Sequence, residues 1–318
     1  MSLSTYSEIN AYYLDSEFGP RGVTVTHQSA GPTRTGCRGT WETNAKLDGE
    51  KGSTSLVEVQ TLQSDDNLPN DTERIHPAVT RAVKRLRTVD NWPETDNWPM
   101  IERGLLCLAR ANTRSAASHI SYIAMEYYPN GNLRDWLSNS PPQGESWARE
   151  VVKQVLSVLS ELAVAGLAHR NIKPSNILIA SVLPIRIKLG DFHNAKWAYE
   201  DNGLQTQVGT LPYVAPEMRR RTSADDPYTA KVDMWALGII LYEILAGAHP
   251  FCEPGRHRFS DRVYERNETK LVIAMAPAVA SAHAVQFVKA LLERNPVGRP
   301  SPAQALAAPW FVQLVGQI

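Results

Sequence analysis

The segment His169-Arg170-Asn171-Ile172-Lys173-Pro174-Ser175-Asn176-Ile177-Leu178 crowds charged and amide side chains into one short loop between apolar stretches. Upstream of it, Trp147, Val151, Val155, Val158, Leu159 and Leu162 recur at helical spacing. Downstream, Ile177-Leu178-Ile179 and Ile185 to Leu189 read as two short strands. Leu189-Gly190-Asp191-Phe192-His193 follows, then Gly209-Thr210-Leu211-Pro212-Tyr213-Val214-Ala215-Pro216-Glu217. Met234 to Leu245 is apolar nearly all round, which predicts a buried helix. His283 to Leu292 and Pro302 to Ala307 predict two more helices.

The first half has a different texture. Val23-Thr24-Val25-Thr26 alternates, and Gly31, Gly36 and Gly39 punctuate a stretch that reads as turns. Trp41 to Leu47 and Leu56 to Leu62 predict strands joined by the turn Asp48-Gly49-Glu50-Lys51-Gly52. His76-Pro77 opens a predicted helix to about Val89, with Val79, Val83 and Leu86 on one face. Strands follow near Leu105 to Ala109 and Ser121 to Tyr127. A strand-rich half before a helix-rich half predicts two lobes, with the boundary near Tyr128-Pro129-Asn130-Gly131.

Composition narrows the function classes. The chain has 318 residues, 43% hydrophobic, with 33 basic and 33 acidic side chains. A net charge of zero argues against a general nucleic-acid binder, and the hydrophobic content argues against disorder. Three scattered cysteines form neither a disulfide framework nor a zinc pattern. The start lacks a basic, apolar leader, and Met234 to Gly247 is too short to span a bilayer. A soluble intracellular protein, cytoplasmic or nuclear, with no membrane or nucleic-acid partner, is expected. Only ten of the 33 basic residues are lysine.

Seven motifs in order resemble those of the protein-kinase family. They are the segment from His169, Asp191-Phe192-His193, and Gly209 to Glu217. Met125-Glu126-Tyr127-Tyr128 with Gly131-Asn132-Leu133 resembles the hinge between the lobes. Asp233, Trp235 and Gly238 resemble the central helix. Arg294-Asn295-Pro296 with Arg299-Pro300-Ser301, and Pro309-Trp310-Phe311, resemble the end of the fold. The resemblance implies an α+β, bilobal fold: an extension over 1–21, a small β-rich N-lobe over 22–127 and a helical C-lobe over 128–318. It also implies ATP and Mg²⁺ as cofactors. Asp191 would hold one magnesium ion and Asn176 would give a neutral oxygen to a second. Lys173 would sit near the transferred phosphate. Glu126 and Tyr128 would hydrogen-bond adenine through their backbone, and Leu178 would pack below the ring. Glu217 and Arg299 would form a buried ion pair, and Gly209-Thr210 marks a serine/threonine-type loop.

The sequence departs from the family where chemistry is done. Asn171 stands where the catalytic aspartate belongs, and an amide cannot accept a proton at neutral pH. Leu56 to Leu62 resembles the strand of the phosphate-anchoring lysine, with Gln60 in its place, and no lysine occurs from Gly52 to Val83. On that register Glu58 falls against adenine and blocks it; a register shifted by one turns it outward. Arg81 and Ala82 flank the expected glutamate position on the predicted helix. Gly36 and Gly39 are candidate remnants of the glycine-rich loop, and His193 replaces the glycine after Asp191-Phe192. These departures predict a pseudokinase that acts through protein partners, with ATP and Mg²⁺ bound weakly or not at all. The alternative is an active or slow ATP-dependent serine/threonine kinase with atypical motifs.

Overall fold

The computed structural model describes residues 13–18, 24–31, 34–47, 56–65, 80–86, 109–113 and 120–126, and then most of 127–312. The gaps in that last span are 141–142, 199–203, 205–208, 220–227, 252, 254–258 and 267–279. The chain divides into two compact units, Met1–Tyr127 and Tyr128–Ile318.

The first unit is a closed barrel. Its strands are β1 (Tyr13–Phe18), β2 (Thr24–Gly31), β3 (Arg34–Leu47), β4 (Leu56–Asp65), β5 (Thr80–Leu86), β6 (Ala109–Thr113) and β7 (Ile120–Glu126). They are ordered β1-β2-β3-β4-β5-β7-β6, and a parallel β1–β6 pairing closes the ring. Two expectations are corrected here. The helix predicted over 76–89 is strand β5 across its described part. Its backbone is satisfied on both sides, by β4 (Val59 opposite Ala82) and by β7 (Ala82 opposite Met125). Ala82 and Val59 are both buried. Pairing on two edges overrides a weak helical spacing. Gly36 and Gly39 lie inside β3, Gly39 opposite His27 of β2 and Gly36 beside a register shift in that pairing, and form no turn.

The second unit is helical. α1 (Leu133–Asn139) begins at Asn132, whose side chain accepts from the Asp135 amide. α2 (Glu145–Val164) buries Val151, Val152, Val155, Leu156, Leu159 and Leu162 along one stripe, as the spacing predicts. Strands β8 (Leu167–Ala168), β9 (Ile177–Val182), β10 (Ile185–Leu189) and β11 (Lys196–Trp197) form two small antiparallel pairs, β10 with β9 and β11 with β8. Gln154 of α2 clamps β10, donating to the Ile185 carbonyl (3.1 Å) and accepting from the Ile187 amide (3.0 Å). α3 (Pro216–Arg219) leads to α4 (Lys231–Ala246), which is buried from Val232 to Leu245. α5 (Asp261–Arg266), α6 (Ala282–Leu291), α7 (Pro302–Leu306) and α8 (Pro309–Val312) complete the unit.

Gly238 sets the distance between α4 and α6. A Cβ there would lie 2.8 Å from Leu291 Cβ and 2.9 Å from Leu292 Cδ2. Among the described residues, no helix is long and apolar enough to cross a membrane.

Candidate functional site

The loop from His169 is fastened to the central helix α4 before any side chain of it can act. Asp233, buried in the first turn of α4, accepts the backbone N–H groups of His169 and Arg170, each at 2.8 Å. Burial raises the Asp233 carboxyl to about 6, and the two backbone hydrogen bonds and Arg170 oppose that rise. Arg170 is held in the left-handed region (φ 63°), which a side-chain-bearing residue keeps only when its surroundings fix it. Its guanidinium supplies part of that constraint, donating to the Asn194 carbonyl (2.5 Å) and the Tyr228 hydroxyl (3.1 Å). Gly209 is also left-handed (φ 106°), and a Cβ there would meet the Arg170 carbonyl at 2.9 Å. Only glycine fits that approach.

A second loop meets the first. His169 Nε2 lies 3.1 Å from the Gly190 carbonyl, and the His169 ring meets Phe192 edge-on at 4.6 Å. Asp191, half-buried, is left-handed (φ 64°) and precedes a single 3₁₀ turn, Phe192–Asn194. Asn171, buried, gives its Nδ2 proton to Asp191 Oδ2 (3.3 Å) and takes the Thr210 hydroxyl proton on Oδ1 (3.4 Å). Asn176 is buried too. It donates Nδ2 to the Asn171 carbonyl (2.8 Å), which leaves its Oδ1 as the acceptor end. Lys173 is half-buried, and its carbonyl accepts from the Asn176 amide (3.0 Å).

The structure therefore brings Asn171, Asn176 and Asp191 together in one unit. The Asp191 carboxylate and the Asn176 Oδ1 are hard oxygens, the donor type magnesium takes through one or two protein ligands. They fit that ion. Leu178 is half-buried, paired with Lys188 across β9–β10 and bridged to Asn132. Glu126 ends β7 and is exposed, while Tyr128 opens the second unit and its carbonyl accepts from the Gly131 amide (3.1 Å).

The segment Gly209 to Glu217, which the family resemblance would make a substrate-docking segment, is fastened at its Glu217 end. The Arg299 guanidinium is fully buried and grips both Glu217 oxygens at 2.6 and 2.7 Å. It also donates to the carbonyls of Glu293 (2.5 Å), Lys231 (3.0 Å) and Arg294 (3.1 Å), and it lies over the Trp235 ring. Beside this lock, Tyr213 accepts from Arg134 and donates to both Glu243 oxygens at 3.0 and 3.1 Å. Burial raises the Glu243 carboxyl to about 7 against the pull of Arg134 and Tyr213.

This geometry agrees with the comparisons. The sequence profile described as "Protein kinase domain" matches residues 108–311, more than half of the chain. The chain belongs to the protein kinase domain family. The kinase domain is 32% identical over 203 residues to "Serine/threonine-protein kinase RAD53" of Saccharomyces cerevisiae, covering 60% of this chain and 24% of that protein. It is 33% identical over 196 residues to "Serine/threonine-protein kinase cds1" of Schizosaccharomyces pombe, covering 60% and 41%. It is 35% identical over 195 residues to the "Hormonally up-regulated neu tumor-associated kinase" of Mus musculus, covering 60% and 26%. The alignments thus span less than half the length of these relatives.

Strand pairing bears on the anchoring position expected at Gln60. In the kinase motif set the anchoring lysine lies on a strand within Val-Ala-Ile-Lys. β7, which ends in Glu126, lies between β5 and β6 and does not pair with β4. β5 carries Ala82-Val83-Lys84. Gln60 pairs with Thr43 and Arg81, and Glu58 with Lys46 and Val83, one strand further from the hinge strand. Side chains of Gln60, Glu58 and Lys84 lie outside the described residues. The lysine-free window ended one residue short of Lys84. The tripeptide Ala82-Val83-Lys84 is visible in the sequence, inside the stretch read as a helix over 76–89. Residues 48–55, between β3 and β4 in the sequence, also lie outside the described residues. Its Gly52 and Ser55, with Val57 beyond, have the spacing of the end of a Gly-x-Gly-x-x-Gly-x-Val loop.

Proposed function

We propose that this chain is a serine/threonine-kinase-like domain that binds Mg·ATP, transfers its phosphoryl group at a severely reduced rate, and works mainly through protein partners. The observation that carries it is the position of Asn171. Its amide faces the Asp191 carboxylate on one side and the Thr210 hydroxyl on the other. It has no basic atom to accept a substrate proton. A positioned general base supplies about 10²–10⁴-fold in rate, roughly 3–5 kcal/mol of barrier.

Nucleotide retention rests on two motif matches in the sequence. Ala82-Val83-Lys84 on β5 matches the anchoring-lysine motif, which replaces Gln60 as the candidate and removes Glu58 as a blocker. Asp191 and Asn176 keep the hard oxygens for magnesium. Magnesium, when bound, supplies charge neutralisation at the phosphates. The partner role is supported by the docking segment. Glu217 and Arg299 keep it locked although the proton acceptor is gone.

The test is phosphoryl transfer from labelled ATP to a generic peptide, in wild type, Asn171→Asp and Asp191→Ala. Asn171→Asp is expected to raise turnover by about 10²-fold or more. Wild-type turnover that Asp191→Ala abolishes and Asn171→Asp leaves unchanged would instead make the chain an active kinase.

A further inference from the structure

We infer that the Asn171 carboxamide is a built-in substitute for a cation at Asp191, a positioning group that lets the two loops keep their arrangement without metal. The inference rests on Asp191 being the metal carboxylate of the proposed site, and not on whether phosphoryl transfer is impaired.

A carboxylate only accepts hydrogen bonds, so the end of Asn171 that faces Asp191 must be the N–H₂ end. The observed contact, Nδ2 to Oδ2 at 3.3 Å, is that arrangement. The opposite end is fixed by the Thr210 hydroxyl, and the backbone carbonyl of the same residue takes the Asn176 side chain. One residue thus touches the carboxylate ligand, the amide ligand and the first hydroxyl of the docking segment.

Aspartate has the same shape as asparagine. In this geometry it would place a carboxylate oxygen 3.3 Å from Asp191 Oδ2. Two carboxylates that close, on a buried and a half-buried residue, need a cation or a shared proton between them. Asparagine converts that repulsion into a hydrogen bond. It also adds a constraint on Asp191, whose left-handed backbone needs constraint from its surroundings. A chain built with aspartate would keep its loops in order best with metal bound, whereas this one keeps them in order without it.

The experiment is thermal unfolding of the full chain without nucleotide, in EDTA and in excess magnesium chloride. The variants are Asn171→Asp, Asn171→Ala and the double variant Asn171→Asp/Asp191→Asn. Wild type should melt at the same temperature in both buffers. Asn171→Asp should melt about 4 °C or more lower in EDTA, with magnesium restoring at least half of the loss. The double variant should recover in EDTA, because one charge of the pair is gone. Asn171→Ala should fall and ignore magnesium. The inference is overturned if wild type melts higher with magnesium than with EDTA. It is overturned equally if Asn171→Asp matches wild type in EDTA, or if its loss responds neither to magnesium nor to Asp191→Asn. If Asn171→Asp does not fold, recovery of a folded double variant in EDTA supports the inference, and failure of that variant to fold overturns it. Turnover is not read, so the outcome is separate from that of the catalytic test.

Discussion

Removing one member of the Glu217–Arg299 pair tests how the docking segment is held. The Arg299 side chain has no exposed surface and Glu217 keeps 17% of its own. In Glu217→Gln the shape survives but the counter-charge does not, and a buried guanidinium is left on three carbonyls. Breaking a buried pair from one side costs about 3–5 kcal/mol. The partial exposure of Glu217 and the remaining carbonyl acceptors bring this case to or below the bottom of that range, about 2–3 kcal/mol. Arg299→Met is worse, about 3–5 kcal/mol, because three carbonyls and a carboxylate lose their donor together. For a unit of this size 1 kcal/mol corresponds to about 2–4 °C, so Glu217→Gln should lower Tm by roughly 4–12 °C. The assay is denaturant unfolding followed by tryptophan fluorescence, for which Trp235 under the guanidinium is a local reporter. The slope should stay unchanged while the midpoint falls. Raising the salt should recover little, since a buried pair is poorly screened. The double variant Glu217→Met/Arg299→Met should lie closer to wild type than Arg299→Met does. A loss below about 1 kcal/mol for Glu217→Gln, or full recovery by salt, would put the pair among ordinary surface bridges and refute the reasoning.

Three further perturbations follow from the same geometry. Gly238→Ala drives a methyl to within 2.8–2.9 Å of Leu291 and Leu292, so α4 and α6 must separate at a cost of about 1–3 kcal/mol, read as a lower denaturant midpoint. His249 is buried; its Nδ1 accepts the Phe251 amide (3.1 Å), so its Nε2 donates to the Pro212 carbonyl (3.2 Å). Burial lowers it to about 4, with Arg134 and Arg219 adding to the effect. The unfolded chain therefore takes up this proton below about pH 6.5 while the folded one does not until about pH 4, so stability falls with pH across that window. Wild type should lose up to about 2 kcal/mol more than His249→Gln between pH 7.5 and pH 5, measured by denaturant midpoints at the two values. Lys84→Met should remove most of the thermal shift produced by Mg·ATP while Gln60→Ala leaves it intact, and the reverse result would return the anchoring role to β4.

The two units were legible to different depths, and the reason is physical. In the second unit the partners of the motif residues are largely other motif residues. His169 and Arg170 hang on Asp233, His169 packs on Phe192, and Glu217 closes on Arg299. Finding the motifs in order was therefore nearly equivalent to finding those contacts. Tyr213 with Arg134 and Glu243 escaped notice, because a tyrosine's buried hydroxyl leaves no periodic or spacing signal. In the first unit the deciding contact is a strand pairing. Thr80-Arg81-Ala82-Val83-Lys84-Arg85-Leu86 has apolar residues at helical as well as strand offsets. What makes it a strand is β4 on one edge and β7 on the other, neither of which is local in sequence. That one pairing is the ground on which the proposed function takes Lys84 in place of Gln60 as the candidate anchor. With Lys84 as the proposed anchor, the remaining departures are Asn171 and His193 beside Asp191 in the second unit and, on the loop spacing given above, Glu50 and Ser55 at glycine positions in the first. On the proposed function, an amide in place of the proton acceptor beside an intact Glu217–Arg299 pair suits a domain that holds nucleotide and turns it over slowly.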